Sequence, residues 1–157
     1  MFLEFSLVTV RKAAAADMQA LMSLRLEMLK AVNGLSDGYQ FDSSFVECAR
    51  LYFLNGNQTT VLALDEDNVP VGCSSVSYIE VMPTFDHPLG KRAHIMNVWV
   101  KPRFRRQGIA LRMVRALIKE AAEKRCTEIS LDATECGRPL YEKIGFKGSE
   151  SCMVLSV

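Results

Sequence analysis

Asn97-Val98-Trp99-Val100-Lys101-Pro102-Arg103-Phe104-Arg105-Arg106-Gln107-Gly108-Ile109-Ala110 is the stretch on which the reading of this chain turns. It begins as a run of strand-forming residues with few charges. It then passes through a basic loop and leads into a helix. The helix is visible in Ile109, Met113, Val114, Leu117, Ile118 and Ala121, whose three- and four-residue spacing continues to about Arg125. A helix N-terminus exposes several unpaired backbone N–H groups and the positive end of the dipole. The join is therefore an anion site. Gly108 removes a Cβ where a ligand must come close, and Ala110 keeps the next inward position small. Arg103, Arg105 and Arg106 concentrate charge there, and Pro102 stiffens the approach. The spacing is neither that of a GxxxxGKS/T phosphate loop nor that of a dinucleotide GxGxxG turn.

Working outward, Ala93 to Val100 reads as a central strand with few charges. Before it, Thr59–Leu64 and Val69–Val81 flank the turn Asp65–Asn68 as a hairpin, and Pro83–Arg92 is a polar loop. Phe2–Arg11 reads as a first strand. Asp17 is placed to cap a helix to about Val32, which Asn33-Gly34 stops. Leu35–Ser44 is a loop, and Ser44–Leu54 a second helix that ends at Asn55-Gly56-Asn57. After the long helix come a strand at Thr127–Ala133, a short helix at Arg138–Ile144 ended by Gly145, and a closing strand at Phe146–Val157. The order β α α β β β α β α β predicts an α/β fold, a mixed sheet with helices on both faces.

The bulk properties fit that picture. A chain of 157 residues buries a core without staples. Its net charge of +1 does not advertise a polyanion partner. Lys101, Arg103, Arg105, Arg106, Arg112 and Arg115 could track phosphates, but no aromatic stacking platform accompanies them, so no nucleic-acid partner is expected. Cys48, Cys73, Cys126, Cys136 and Cys152 are odd in number and lack CxxC spacing, which predicts reduced thiols and no metal site. The N-terminus has no basic n-region, and no apolar run approaches the ~20 residues of a spanning helix. A cytoplasmic protein with no membrane partner is expected.

Two motifs carry a family resemblance. Arg105-x-x-Gly108-x-Ala110 resembles the R/Q-x-x-G-x-G/A signature of the Gcn5-related N-acetyltransferase superfamily, and Val98-Trp99-Val100-Lys101-Pro102 looks like the strand and exit loop before it. Downstream, Leu140-Tyr141-Glu142-Lys143-Ile144-Gly145-Phe146 resembles the LYEKLGF ending of that family. The resemblance implies one N-acetyltransferase domain over residues 1–157, with a mostly antiparallel mixed sheet. It implies acetyl-CoA as co-substrate, a small-molecule amine as acceptor, and a homodimer as a common assembly. A non-catalytic acyl-CoA-binding module is the alternative.

By the same resemblance, backbone N–H groups of Arg106, Gln107, Gly108, Ile109, Ala110 and Leu111 would cradle a pyrophosphate beside Arg105. Val98, Trp99 and Val100 would offer strand-like bonds to the pantetheine arm, and the Val98 N–H would face the oxyanion. Thr134 stands seven residues before Tyr141, where many members carry a CoA-binding Asn. Tyr141 matches the tyrosine that gives a proton to the leaving thiolate. His94 lies near the position of a glutamate base, with Glu80 and His87 as rivals and Cys136 read as structural. Asn97, set opposite Val98 and Val100 by alternation, would hold the acceptor or the thioester. The acceptor side is expected from Leu35–Ser44, the Met82–Arg92 loop and the strand of His94, because acidic and aromatic groups there suit a cationic amine.

Overall fold

The structure, a computed structural model, describes residues 7–157. The elements run β1 (Thr9–Lys12), α1 (Met18–Val32), α2 (Ser43–Asn55), β2 (Gln58–Leu64), β3 (Pro70–Glu80), β4 (Lys91–Val100), α3 (Ile109–Glu123), β5 (Glu128–Leu131) and α4 (Arg138–Ile144). The five strands lie side by side in chain order. Every neighbouring pair is antiparallel except β4 and β5, which run parallel. That one parallel pair needs a crossover, and α3 supplies it.

Strand alternation sorts the core into two layers. Val61, Ala63, Val71, Val76, Ala93 and Ile95 point to one face and meet Ile109, Met113, Val114, Leu117 and Ala121 of α3. Tyr141 of α4 joins that layer. Leu62, Leu64, Cys73 and Trp99 point to the other face and meet Leu21, Leu24 and Met28 of α1. The sheet therefore has helices on both faces, as the sequence pattern requires.

Three local expectations need correction. Asp17 does not cap α1 with its side chain. Its carboxylate turns back to the Ala14 N–H at 2.7 Å and to Arg11 at 2.8 Å, and these bonds hold it at a pKa of about 2. The first strand is confined to Thr9–Lys12, and the part assigned to residues 2–6 lies outside the described residues. The closing strand at 146–157 does not form. Met153, Val154 and Leu155 stay exposed. They are consecutive, so they offer no alternation to fix a register, and a polar run containing Gly148 separates them from Phe146.

Leu117 is wholly buried between α3 and the sheet. Leu117→Ala is expected to lower stability by about 2–5 kcal/mol through lost transfer energy and a residual cavity. Urea denaturation measures this, and a loss well below about 1 kcal/mol would contradict the layer assignment.

Candidate active site

The site begins with an irregularity in β4. Trp99 pairs with Cys73 and Met96 pairs with Ser75, so two residues of β4, Asn97 and Val98, oppose the single Ser74 of β3. This is a β-bulge. Asn97 carries it in the left-handed region, at φ 58. Among non-glycine residues Asn tolerates that conformation well, because its short polar side chain bonds locally. The bulge shifts the alternation. Ala93, Ile95, Val98 and Val100 face α3, whereas Asn97 and Trp99 face α1. Pairing with β5 stops at Ile95 and Leu131, so Asn97 and Val98 lie beyond the last bridge between those strands. The sheet is open there. Ser74, opposite the bulge, has a buried hydroxyl without a partner among the described residues.

The loop after β4 leads to the start of α3. Arg106 at φ 63 and Gly108 at φ 75 both adopt left-handed backbone, and no side chain caps the helix. Among the described residues, none of the backbone N–H groups from Arg106 through Leu111 donates to a protein acceptor. Successive unpaired N–H groups at a helix start form a concave anion receptor. A Cβ on Gly108 would meet nothing within 4 Å, so the space above the receptor is open. Arg105 does not aim its side chain at that space. Its Nε donates to the Val100 carbonyl at 2.9 Å, and its guanidinium lies 4.6 Å over the Trp99 ring. Trp99 in turn donates from Nε1 to Glu27 at 3.4 Å on the α1 side. Ile109, the first residue of α3, is buried, and Gln107 buries an Oε1 without a partner among the described residues. Arg112 also bonds internally, to the Val8 carbonyl at 2.7 Å.

Tyr141 faces the α3-side layer, which also holds Val98, and packs edge-on against Phe146 at 6.0 Å. Burial alone pushes its phenol above the ordinary pKa. Thr134 uses its hydroxyl to accept the Gly137 N–H at 3.1 Å, which shapes the turn into α4. His94 stands on the opposite face of β4 from Ala93 and Ile95. Its Nδ1 lies 2.9 Å from the Ser130 hydroxyl, and its Nε2 lies 3.6 Å from Asp132. Glu80 pairs with Lys91 and His87 bonds Thr127, so both sit at the opposite end of β4 from the bulge. Cys73 is buried beneath Asn97, which pushes its thiol up to about 12 and keeps it neutral. Cys136 is exposed.

On the α1 side, a cavity of about 370 Å³ opens against the bulge. Its walls include Phe45, Tyr52 and Phe53 of α2, with Met96 and Asn97 of β4. Phe41 stacks on Phe45 at 5.6 Å and Tyr39 meets Phe41 edge-on at 5.0 Å, so the Leu35–Ser44 loop reaches the cavity through aromatic contact. The Met82–Arg92 loop and His94 do not line it. Arg25 of α1 does, and its Nη1 donates to Asn97 Oδ1 at 3.3 Å. The Asn97 amide also points at Ser75 Oγ, 3.3 Å away.

The model of the acetyltransferase (GNAT) family matches residues 20–146. The chain belongs to that family. A predicted acetyltransferase from Clostridium acetobutylicum, solved with acetyl-CoA, superposes at a TM-score of 0.82 and 27% identity, covering 96% of each chain. A probable glucosamine 6-phosphate N-acetyltransferase of Oryza sativa subsp. japonica is 29% identical over 88% of this chain and 81% of its own length. A glucosamine 6-phosphate N-acetyltransferase of Trypanosoma brucei brucei is 31% identical over 49% of this chain and 52% of its own length.

Two features of this acetyltransferase escape a reading of its strand–loop–helix motif. The bulge is one, although an Asn inside an otherwise apolar strand is a cue to left-handed backbone. Arg25 is the other. It falls on the buried stripe Leu21, Leu24, Arg25, Met28, where a cation is out of place. For the helix start, Gly108→Val is expected to weaken acetyl-CoA binding at least about 100-fold, because a branched Cβ fills the open approach and strains a left-handed residue. Calorimetric titration with acetyl-CoA, beside a thermal melt to confirm folding, measures it. Unchanged affinity in a folded variant would remove the helix start from the site.

Proposed function

We propose that this acetyltransferase transfers the acetyl group of acetyl-CoA directly to the primary amine of a small molecule. The observation that carries this reading is the run of free backbone N–H groups from Arg106 to Leu111, which ends one side of an open sheet edge at Val98. Those donors suit a pyrophosphate, whose charge also gains from the dipole of α3. The open approach above Gly108 leaves room for such a ligand. Arg105 and Trp99 contribute by holding the loop against β4, and Ile109, Ala110 and Leu111 contribute through their amides. Val98 and Val100 offer backbone to the pantetheine arm.

The chemistry follows from the same geometry. The neutral amine attacks the thioester carbonyl, the tetrahedral oxygen carries the charge, and the carbon–sulfur bond then breaks. The Val98 N–H, beyond the last bridge to β5, is the proposed oxyanion donor. Asn97 is a positioning residue, because its side chain is committed to Arg25 and Ser75 while its backbone turns Val98 toward the gap. Tyr141 gives its proton to the departing thiolate. Its raised pKa keeps it an acid at neutral pH. His94, held by Ser130, takes the amine proton through water, and Thr134 serves by shaping the turn before α4. The relatives named for glucosamine 6-phosphate act on an amine of this size class.

Thiol release from acetyl-CoA tests the reading. With an accepted amine, Tyr141→Phe is expected to cut kcat at least tenfold and leave acetyl-CoA affinity within about threefold. Equal turnover would remove Tyr141 from the mechanism. The pH dependence has a fixed sign. The acid must be protonated, so its activity is lost as pH rises through its pKa, and burial places that loss above the usual tyrosine value of about 10. An alkaline limb centred well below pH 10 that disappears in Tyr141→Phe would contradict this.

A further inference from the structure

Arg25 is a cation in a place that costs free energy. It occupies the buried stripe of α1 and lines a cavity with Phe45, Tyr52, Phe53 and Met96. Partial burial pulls its pKa below the ordinary value. A guanidinium that gives up water is normally matched by a carboxylate. Among the described residues no carboxylate lies within 4 Å of it. Glu27, two residues along α1, is turned to the Trp99 indole instead. The hydrogen bond that Arg25 makes, to neutral Asn97 at 3.3 Å, leaves most of its five donors free.

Resting on the function proposed above, we propose that Arg25 binds an anionic group of the acceptor, and that the acceptor is an α-amino acid or close analogue with a large apolar side chain. Three placements lead there. Arg25 touches the Asn97 side chain, and Asn97 directly precedes the Val98 N–H at the open edge. An anion on Arg25 and an amine at that edge therefore belong to one small molecule, separated by a few bonds. The rest of the cavity wall is mostly apolar, with Phe45, Ala49, Phe53 and Met96, and its Tyr52 and Ser75 hydroxyls are already bonded to Ser77 and to Thr60 and Asn97, so it fits an apolar body. A sugar phosphate would supply the anion, but its several hydroxyls would face Phe45, Phe53 and Met96, where the Tyr52 and Ser75 hydroxyls are already engaged with protein partners.

The test is steady-state thiol release from acetyl-CoA with a panel of amines. It comprises L-phenylalanine, L-leucine, their amides, the aminophosphonate analogue of phenylalanine, 2-phenylethylamine, glucosamine and glucosamine 6-phosphate. The expected result is a kcat/KM for phenylalanine or leucine at least about 100-fold above that of the matching amide. Arg25→Gln, confirmed folded by its melting curve, should collapse that ratio below about tenfold, and Arg25→Lys should keep part of it. The aminophosphonate arm distinguishes a carboxylate from a phosphoryl anion. Preference for glucosamine 6-phosphate over every apolar amino acid would overturn the inference. Equal use of acids and amides would overturn it too, leaving the acetyltransferase reading intact. No turnover of any amine, charged or neutral, by enzyme that binds acetyl-CoA would overturn both.

Discussion

The left-handed backbone of Asn97 is the constraint from which the rest of the site follows. A regular strand would have kept Asn97 with Ala93 and Ile95 on the α3 face and buried an amide in an apolar layer. One extra residue against Ser74 reverses that arrangement. It sends Val98 and Val100 to the α3 side, turns the Asn97 amide toward Ser75 and Arg25, and frees the Val98 backbone just past the end of β5. Left-handed backbone costs free energy in a residue with a Cβ, though less in Asn than in most. The hydrogen bonds to the Asn97 side chain oppose that cost and hold the strained conformer in a single orientation.

The bulge also divides the labour of the two faces. Facing α3 are the free amides of the helix start, the open approach above Gly108, and the raised-pKa phenol of Tyr141. Facing α1 and α2 is an apolar cavity with one unmatched guanidinium. Between those faces, β4 and β5 part beyond Ile95 and Leu131, beside the bulge. In the proposed reaction the acyl donor occupies the first face and the amine the second. The sheet then acts as a wall with a single opening, and the reacting atoms are brought together there by position rather than by an elaborate set of catalytic side chains.

Much of this was legible in the sequence, and the exceptions have physical causes. The layers follow from periodicity, since the spacing of Ile109, Met113, Leu117 and Ala121 survives intact in α3. The uncapped start of α3, with left-handed Gly108 before it, follows from the strand-to-helix join. Side-chain commitments were not legible. Arg105 carries the motif's arginine, yet bonds Val100 and covers Trp99, because a loop must be anchored before its amides can point together. Thr134 accepts the Gly137 N–H in the turn before α4, a bond that its place in the motif does not announce. The closing strand failed because consecutive apolar residues do not specify a register. Arg25 is not legible in the sequence, because a helix that is apolar on one face hides a single cation inside the pattern, where the surrounding burial reveals it.

In the proposed reaction the amides from Arg106 to Leu111, beside the gap opened by the bulge, receive the pyrophosphate of the acyl donor. Amide proton–nitrogen correlation spectra of the labelled protein, recorded during titration with CoA, report on each of those groups by residue. The amides of Gly108, Ile109, Ala110 and Leu111 are expected to move downfield together and saturate with one dissociation constant, as new hydrogen bonds to phosphate form. Saturable binding that leaves those amides in place and perturbs another part of the chain would contradict it.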